Sequence, residues 1–315
     1  MRNKNTYRLT EGAVLLAIFT VLLLITLYIP GLGFIVNLFL ALPFMMFAAK
    51  HGWKSTAIFT IAAVLLSLVV GTLLAVPLAL AYGITGMVMG AMIKEGKSRL
   101  AVFVAGSLVF LANTVIQYIV AVALFKINFI EEMMASFREA MDMSTDIMGS
   151  LGQTADDRML EQLETTIDLI ETLMPSMFVM ASFMIIFIIQ LVSFPILKRF
   201  GIAVPRWKPF REMTLPKSLL WYYLLSMIAT MVFQPEAGSY WYWALANLVF
   251  ILQFFMLLQG LSFVAYFTHI KKFPKAFLII AVILTFLLPF VLYIVRILGI
   301  IDLGFNLRKR LEEKK

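Results

Sequence analysis

The chain of 315 residues contains no cysteine. A disulfide framework, thiolate metal sites and thiol catalysis are therefore excluded. Charge is scarce too: Asp, Glu, Lys and Arg make up 14% of the residues against 62% hydrophobic ones, and the mean hydropathy is +0.95. So little polar surface cannot cover a soluble globule, and lipid must be the solvent for most of the chain. There is no H-E-x-x-H sequence and no pair of intramembrane aspartates, and the two histidines, His51 and His269, sit beside basic residues, where a lone histidine is usually solvated. The set needed for catalysis is missing, so the reading is not an enzyme, with no catalytic, cofactor-binding or metal residues. No G-x-x-x-x-G-K-[ST] sequence is present, which excludes nucleotide hydrolysis by the P-loop route. No apolar run carries a carboxylate away from its ends, so the usual marks of a proton or sodium relay are absent as well.

What remains is a succession of continuous apolar runs. Each hydrocarbon crossing needs about 20 apolar residues as a helix, and uninterrupted runs exclude the alternation of a membrane strand. Runs at 9–29, 32–49, 55–70, 72–93, 100–125, 173–197, 218–233 and onward to 268 predict eight spans, and 276–301, long enough for one crossing and too short for two, is taken as a ninth, with a re-entrant segment as the alternative. Basic clusters at Lys50 to Lys54, Lys94 to Arg99, Lys198 to Lys217 and Lys271 to Lys275 mark the cytoplasmic loops. The first run has a basic lead but ends in Pro30-Gly31 without a small-residue cleavage site, so it reads as a retained span. The fold expected is an all-α integral membrane protein, a polytopic bundle of eight to nine spans in the plasma membrane with a cytoplasmic N-terminus. If the ninth run crosses, Arg308, Lys309 and Arg310 lie outside, against the bias of every earlier loop. The formal charge of +8 does not imply nucleic acid, because the basic residues lie at the ends of apolar runs, where topology and anionic headgroups account for them.

One long polar excursion interrupts the pattern. Residues 127–171 hold eleven acids against two arginines, a net charge of −9, while the rest of the chain carries 24 bases and seven acids. An acidic loop in a basic chain is expected outside. Ile127, Ile130, Met134, Phe137 and Met141 form one helical stripe, and Leu160, Leu163, Ile167, Ile170 and Met174 another. Gly149 and Gly152 lie between them, and Thr154 with Asp157 has the form of a capping box. The prediction is an extracytoplasmic helical hairpin packed on itself. The organisation is then spans one to five at 1–126, the hairpin at 127–172, a sixth span at 173–200, a basic loop at 201–217 and further spans with a basic tail at 218–315.

Uncharged polar residues inside the spans are the candidate site. Asn113 and Gln117 are four apart on one face of the fifth span, with Tyr118 beside them, and Asn37 and Tyr28 lie at a similar depth toward the outside. They read either as the lining of a small-molecule cavity or as interhelical hydrogen-bonding groups. Ala75, Ala79 and Gly83, followed by Gly86 and Gly90, predict a close-packed face on the fourth span, and Ala13 and Ala17 form an A-x-x-x-A pair on the first.

The opening R-L-T-E-G-A-V-L-L-A-I-F-T-V-L, the tightly paired first two spans, the Gly-rich fourth and the terminal G-I-I-D-L-G-F-N-L-R-K-R resemble the YybS-like family of uncharacterised bacterial polytopic membrane proteins. That family's first six spans are similar to the substrate-capturing S components of energy-coupling-factor transporters. The resemblance implies a small-molecule ligand held on the outer side, near Asn113, Gln117 and Tyr118. It also implies a transporter scaffold with ATPase subunits, engaged through Ala13 and Ala17. Three extra spans and the long acidic hairpin depart from an S component, and leave open a non-transporting protein that acts through its hairpin and basic loops.

Overall fold

The computed structural model describes residues 4–150 and 157–312, and all regular structure among them is helical. The α-helices are α1 (Lys4–Tyr28), α2 (Leu32–Val36), α3 (Leu42–His51), α4 (Trp53–Lys94), α5 (Arg99–Phe125), α6 (Phe129–Ser150), α7 (Asp157–Arg199), α8 (Lys217–Phe233), α9 (Tyr240–Ile270), α10 (Lys275–Leu287), α11 (Pro289–Phe305) and α12 (Leu307–Glu312). Two compact units divide them: Met1–Glu132 with Phe178–Arg206, and Met133–Met177 with Trp207–Lys315.

In the first unit, Leu15, Phe19 and Leu23 recur every four residues and bury one stripe of α1. Phe19 meets Phe44 edge-on at 5.0 Å, and Phe44 meets Phe59 at 5.2 Å. The second span, expected as one helix over 32–49, is broken: α2 gives way to a 3₁₀ turn over Asn37–Phe39 before α3 begins. Pro43 has no N–H to offer the carbonyl four residues earlier, so a continuous helix loses a bond there.

The third and fourth predicted spans are the two halves of α4. Its 42 residues would reach about 63 Å if straight, twice the hydrocarbon thickness. Instead Thr72 leaves the helix at φ 61°, ψ −168°. A Cβ built on Gly83 would lie 2.9 Å from Thr60 Cγ2, although a straight helix would put those residues roughly 35 Å apart. The helix therefore doubles back at Gly71-Thr72. The close-packed face has its expected role: Ala75 and Ala79 are fully buried, and Cβ atoms on Gly86 and Gly90 would come within 2.6 and 2.5 Å of the carbonyls of Ala41 and Met45 on the α3 side.

Six helical stretches among the described residues are long and apolar enough to cross a bilayer, and the reversal inside α4 makes one of them two crossings. The 17 residues of α8 form a shorter apolar helix. The last apolar run does not cross as one helix. α10 and α11 meet at 115°, where Pro289 holds Leu288 extended at φ −115°, ψ 112°. After a left-handed turn at Asn306, the Arg308 guanidinium donates to the Arg211 carbonyl at 2.8 Å, so the tail lies on the face of the basic loop. By length and composition the bent pair is a broken span or a re-entrant loop. Arg296 lies 5.3 Å over the Tyr293 ring.

The predicted hairpin is α6 and the start of α7. Met134 and Ile167 are buried from the two stripes, and Arg138 reaches Asp168 at 3.9 Å and Glu171 at 3.7 Å. Those ion pairs are exposed and contribute little. Gly152, Thr154 and the side chains of Asp157 and Leu160 lie outside the described residues.

Candidate functional site

Five residues read either as cavity lining or as interhelical hydrogen-bonding groups, and each has a definite place in the first unit. Tyr28 donates to the Val70 carbonyl at 3.2 Å. That carbonyl belongs to the last turn before the reversal at Thr72, where helix carbonyls have lost their donors. Gln117 donates from Nε2 to the Pro77 carbonyl at 3.0 Å, linking α5 to α4. Asn113 donates to Val109 O of its own helix at 2.9 Å. The Tyr118 hydroxyl donates at 2.9 Å to Asn128 Oδ1, which also accepts from Glu131 N and so caps α6. All five are thus engaged with protein. Asn37 starts the 3₁₀ turn in the broken second span and its side chain hydrogen-bonds the buried Tyr82, but its Oδ1 is buried with no hydrogen-bond partner.

Ala13 and Ala17 face outward on α1, beside exposed Val14, Ile18 and Val21. Two turns into the same helix, Glu11 accepts from Lys50 and lies 2.9 Å from His51 Nε2. His51, expected to be solvated, is 17% exposed and packs on Phe47 at 4.6 Å. The correction comes from the pairing of α1 with α3, which brings together residues about 40 positions apart in the chain.

Buried polar groups that gave no distinctive signal in the sequence form stronger constellations. In the first unit Gln190 is fully buried and accepts from Arg99 Nε at 3.3 Å, while the guanidinium lies 4.7 Å over Phe194. In the second unit Asn247 of α9 inserts its amide into α7 just after Pro175. Its Oδ1 accepts from Ser176 N at 3.0 Å and from Ser176 Oγ at 2.6 Å, while its Nδ2 donates to Thr172 O at 2.7 Å and Trp243 O at 2.8 Å. Thr172 O and Ser176 N are the two groups an unbroken helix would join, so the amide splices a backbone bond in which proline has disturbed the ladder. Asn247→Leu should leave both groups unsatisfied in an apolar setting and cost about 3 kcal/mol, against about 1 kcal/mol for Ser176→Ala, in thermal or denaturant melts of the purified protein.

A second constellation closes around Asp302, 4% exposed near the end of α11. Its Oδ2 accepts from Gln259 Nε2 at 2.6 Å and Arg308 Nε at 3.0 Å. Gln259 Oε1 takes Leu215 N at 2.9 Å, and Arg308 Nη2 donates at 3.1 Å to Ser262 Oγ, which itself donates to the carbonyls of Phe210 and Met213. Charge is balanced and nearly every polar atom is turned to another, an arrangement that fixes a loop, two helices and a tail. No group of three or more His, Asp or Glu placed to hold a metal ion occurs among the described residues.

The comparisons with known proteins agree with this architecture. The uncharacterized protein YybS of Bacillus subtilis (strain 168) is 31% identical over 311 residues, covering 98% of this chain and all of that protein. No solved structure matches the chain significantly. A family model described as predicted membrane protein (DUF2232) matches residues 17–303. With helices long enough to cross a bilayer and a family match over most of its length, this chain belongs to the DUF2232 family of predicted membrane proteins.

Proposed function

We propose that the protein is a non-enzymatic, multi-pass protein of the plasma membrane, with its N-terminus in the cytoplasm, whose first unit binds a small molecule from outside for uptake. The observation that carries this reading is Asn37. An amide oxygen without a partner in an apolar environment costs on the order of 1–3 kcal/mol, and irregular backbone at membrane depth is a common setting for a bound solute. A ligand that brings a donor N–H or O–H to the break in the second span would remove that cost. Movement would draw on a separate scaffold and ATPase, because the chain has no P-loop of its own.

Thermal melts of wild type and Asn37→Leu against a library of candidate metabolites test the idea. A ligand present at about a hundredfold its dissociation constant stabilises the wild type by about 2.7 kcal/mol, and the variant should gain almost nothing. Equal stabilisation of both proteins would remove Asn37 from any site.

The scaffold would dock on Ala13 and Ala17, which lie on an outward face of α1, where small residues let another helix approach closely. Ala13→Leu with Ala17→Leu should abolish co-purification of a membrane scaffold while leaving the melting temperature unchanged, and unaltered recovery would count against docking on that face. A second reading, a non-transporting protein that acts through its acidic hairpin and basic loops, is favoured by a different observation: Tyr28, Asn113, Gln117 and Tyr118 already bond to protein.

A further inference from the structure

We propose that the cleft where α9 ends and α10 begins is a binding site for the phosphate-bearing headgroup of an anionic lipid. The cleft has a volume of about 670 Å³ and is lined by Arg211 from the 3₁₀ turn within the basic loop and by His269, Lys272, Phe273 and Lys275 from the α9–α10 connection. Two stretches of chain about 60 residues apart thus bring their cations to one cavity. Arg211, Lys272 and Lys275 are in no ion pair among the described residues. One carboxylate, Glu212, shares the cleft, so its formal charge is +2 with His269 neutral.

The backbone around the cleft is held in place. Arg211 is anchored by its carbonyl, which accepts from Arg308 Nη1 at 2.8 Å. Lys272 has φ 55°, in the left-handed region that a lysine seldom occupies, and its N–H closes the turn on His269 O at 3.2 Å. This is the left-handed cap that ends α9, closed also by Phe273 N–H on Thr268 O at 3.0 Å, and it fixes where Lys272 leaves the helix.

An apolar strip starting at the cleft identifies the ligand as lipid rather than free phosphate. Phe273, Phe277, Ile280 and Leu284 follow one another at helical spacing down α10, all exposed, with the first two rings 5.2 Å apart. A headgroup among the cations would lay its acyl chains along that strip. A general attraction of basic loops to an anionic surface needs neither the convergence nor the strip.

The test uses the full chain in neutral detergent, with thermal melts against phosphatidylglycerol, phosphatidylcholine and inorganic phosphate at matched concentrations and fixed salt. Phosphatidylglycerol should raise the melting temperature saturably, and the other two should not. Lys272→Gln with Lys275→Gln should weaken the apparent affinity for phosphatidylglycerol about thirtyfold, at roughly fivefold per lysine. The control removes equal charge from exposed positions outside the cleft, Lys208→Gln with Lys217→Gln, and should change affinity less than threefold. A melting temperature in phosphatidylcholine equal to the wild type's verifies that each variant is folded, and Lys272→Gln alone serves if the double variant is not. Equal losses in the two double variants would mean diffuse attraction and overturn the site. Stabilisation by inorganic phosphate alone, to the full extent, would overturn the lipid in favour of a free anion, and an equal response to phosphatidylcholine would overturn the charge argument.

Discussion

Asp302→Leu is expected to destabilise the protein by about 3–5 kcal/mol, enough to prevent accumulation of a marginally stable membrane protein. The side chains of Asp302 and Arg308 are 3% and 13% exposed, so removing the carboxylate leaves a guanidinium buried without its counter-charge, and Gln259 Nε2 loses its acceptor. The pair itself need not be worth that much, because desolvation offsets most of its attraction. The diagnostic comparison is therefore Asp302→Leu with Arg308→Leu, which should be less damaging than the single change. It should not restore the wild type fully, since Arg308 also holds Arg211 O and Ser262 Oγ. Melts of the three proteins check this, and a single-variant loss under 1 kcal/mol would show that water reaches the site.

Gly299→Ala is expected to cost more than 3 kcal/mol, and Gly260→Val with Gly299→Val to abolish expression of folded protein. A Cβ on Gly299 would stand 2.0 Å from Met256 O and 2.7 Å from Gly260 N, and one on Gly260 would stand 1.9 Å from Val295 O. The atoms struck are backbone, which cannot rotate away, so α9 and α11 would have to separate by more than 1 Å along their contact. Overpacking against movable side chains costs about 1–3 kcal/mol, and a rigid obstacle belongs above that range. Gly304 in α11 supplies the control. Its Cβ would meet Leu220 Cδ2 at 3.5 Å, ordinary contact, so Gly304→Ala should be neutral or stabilise by up to about 1 kcal/mol through helix propensity. Fluorescence-detected size exclusion of the four proteins would show whether damage follows the backbone clashes.

Whatever depends on one stretch of chain was legible in the sequence. The reversal in α4 was legible as a boundary between the runs 55–70 and 72–93, where Gly71 interrupts the helix, and the small-residue face followed from spacing alone. The hairpin followed from charge and two stripes. What depends on meetings between distant segments was not legible. Asn247 and Ser176 are 71 positions apart, and a lone asparagine in an apolar run reads the same whether it splices a helix or faces a ligand. Asp302 sits near the end of its run, where a carboxylate ordinarily reaches water. It is buried because Asn306 turns the chain and brings Arg308 back beside it. The bend at Leu288-Pro289 was masked by a run long enough for one crossing, although the proline that causes it is plain in the sequence. The same holds for Asn37, whose buried, unpaired Oδ1 depends on a break that hydropathy does not register.

The acidic hairpin of α6 and α7 has a bearing on how the chain is threaded into its membrane. In the proposed orientation, residues 127–171 must be carried outward with a net charge of −9. An inside-negative potential drives negative charge in that direction, by about 2.3 kcal/mol per charge per 100 mV, or roughly 20 kcal/mol for the whole segment. Export of the longest polar loop is thus downhill in the electric field of an energised cell. Collapsing the potential during synthesis should strand this loop inside, while the neutral turns at Pro30-Gly31 and Gly71-Thr72, with no charge to move, should insert as before.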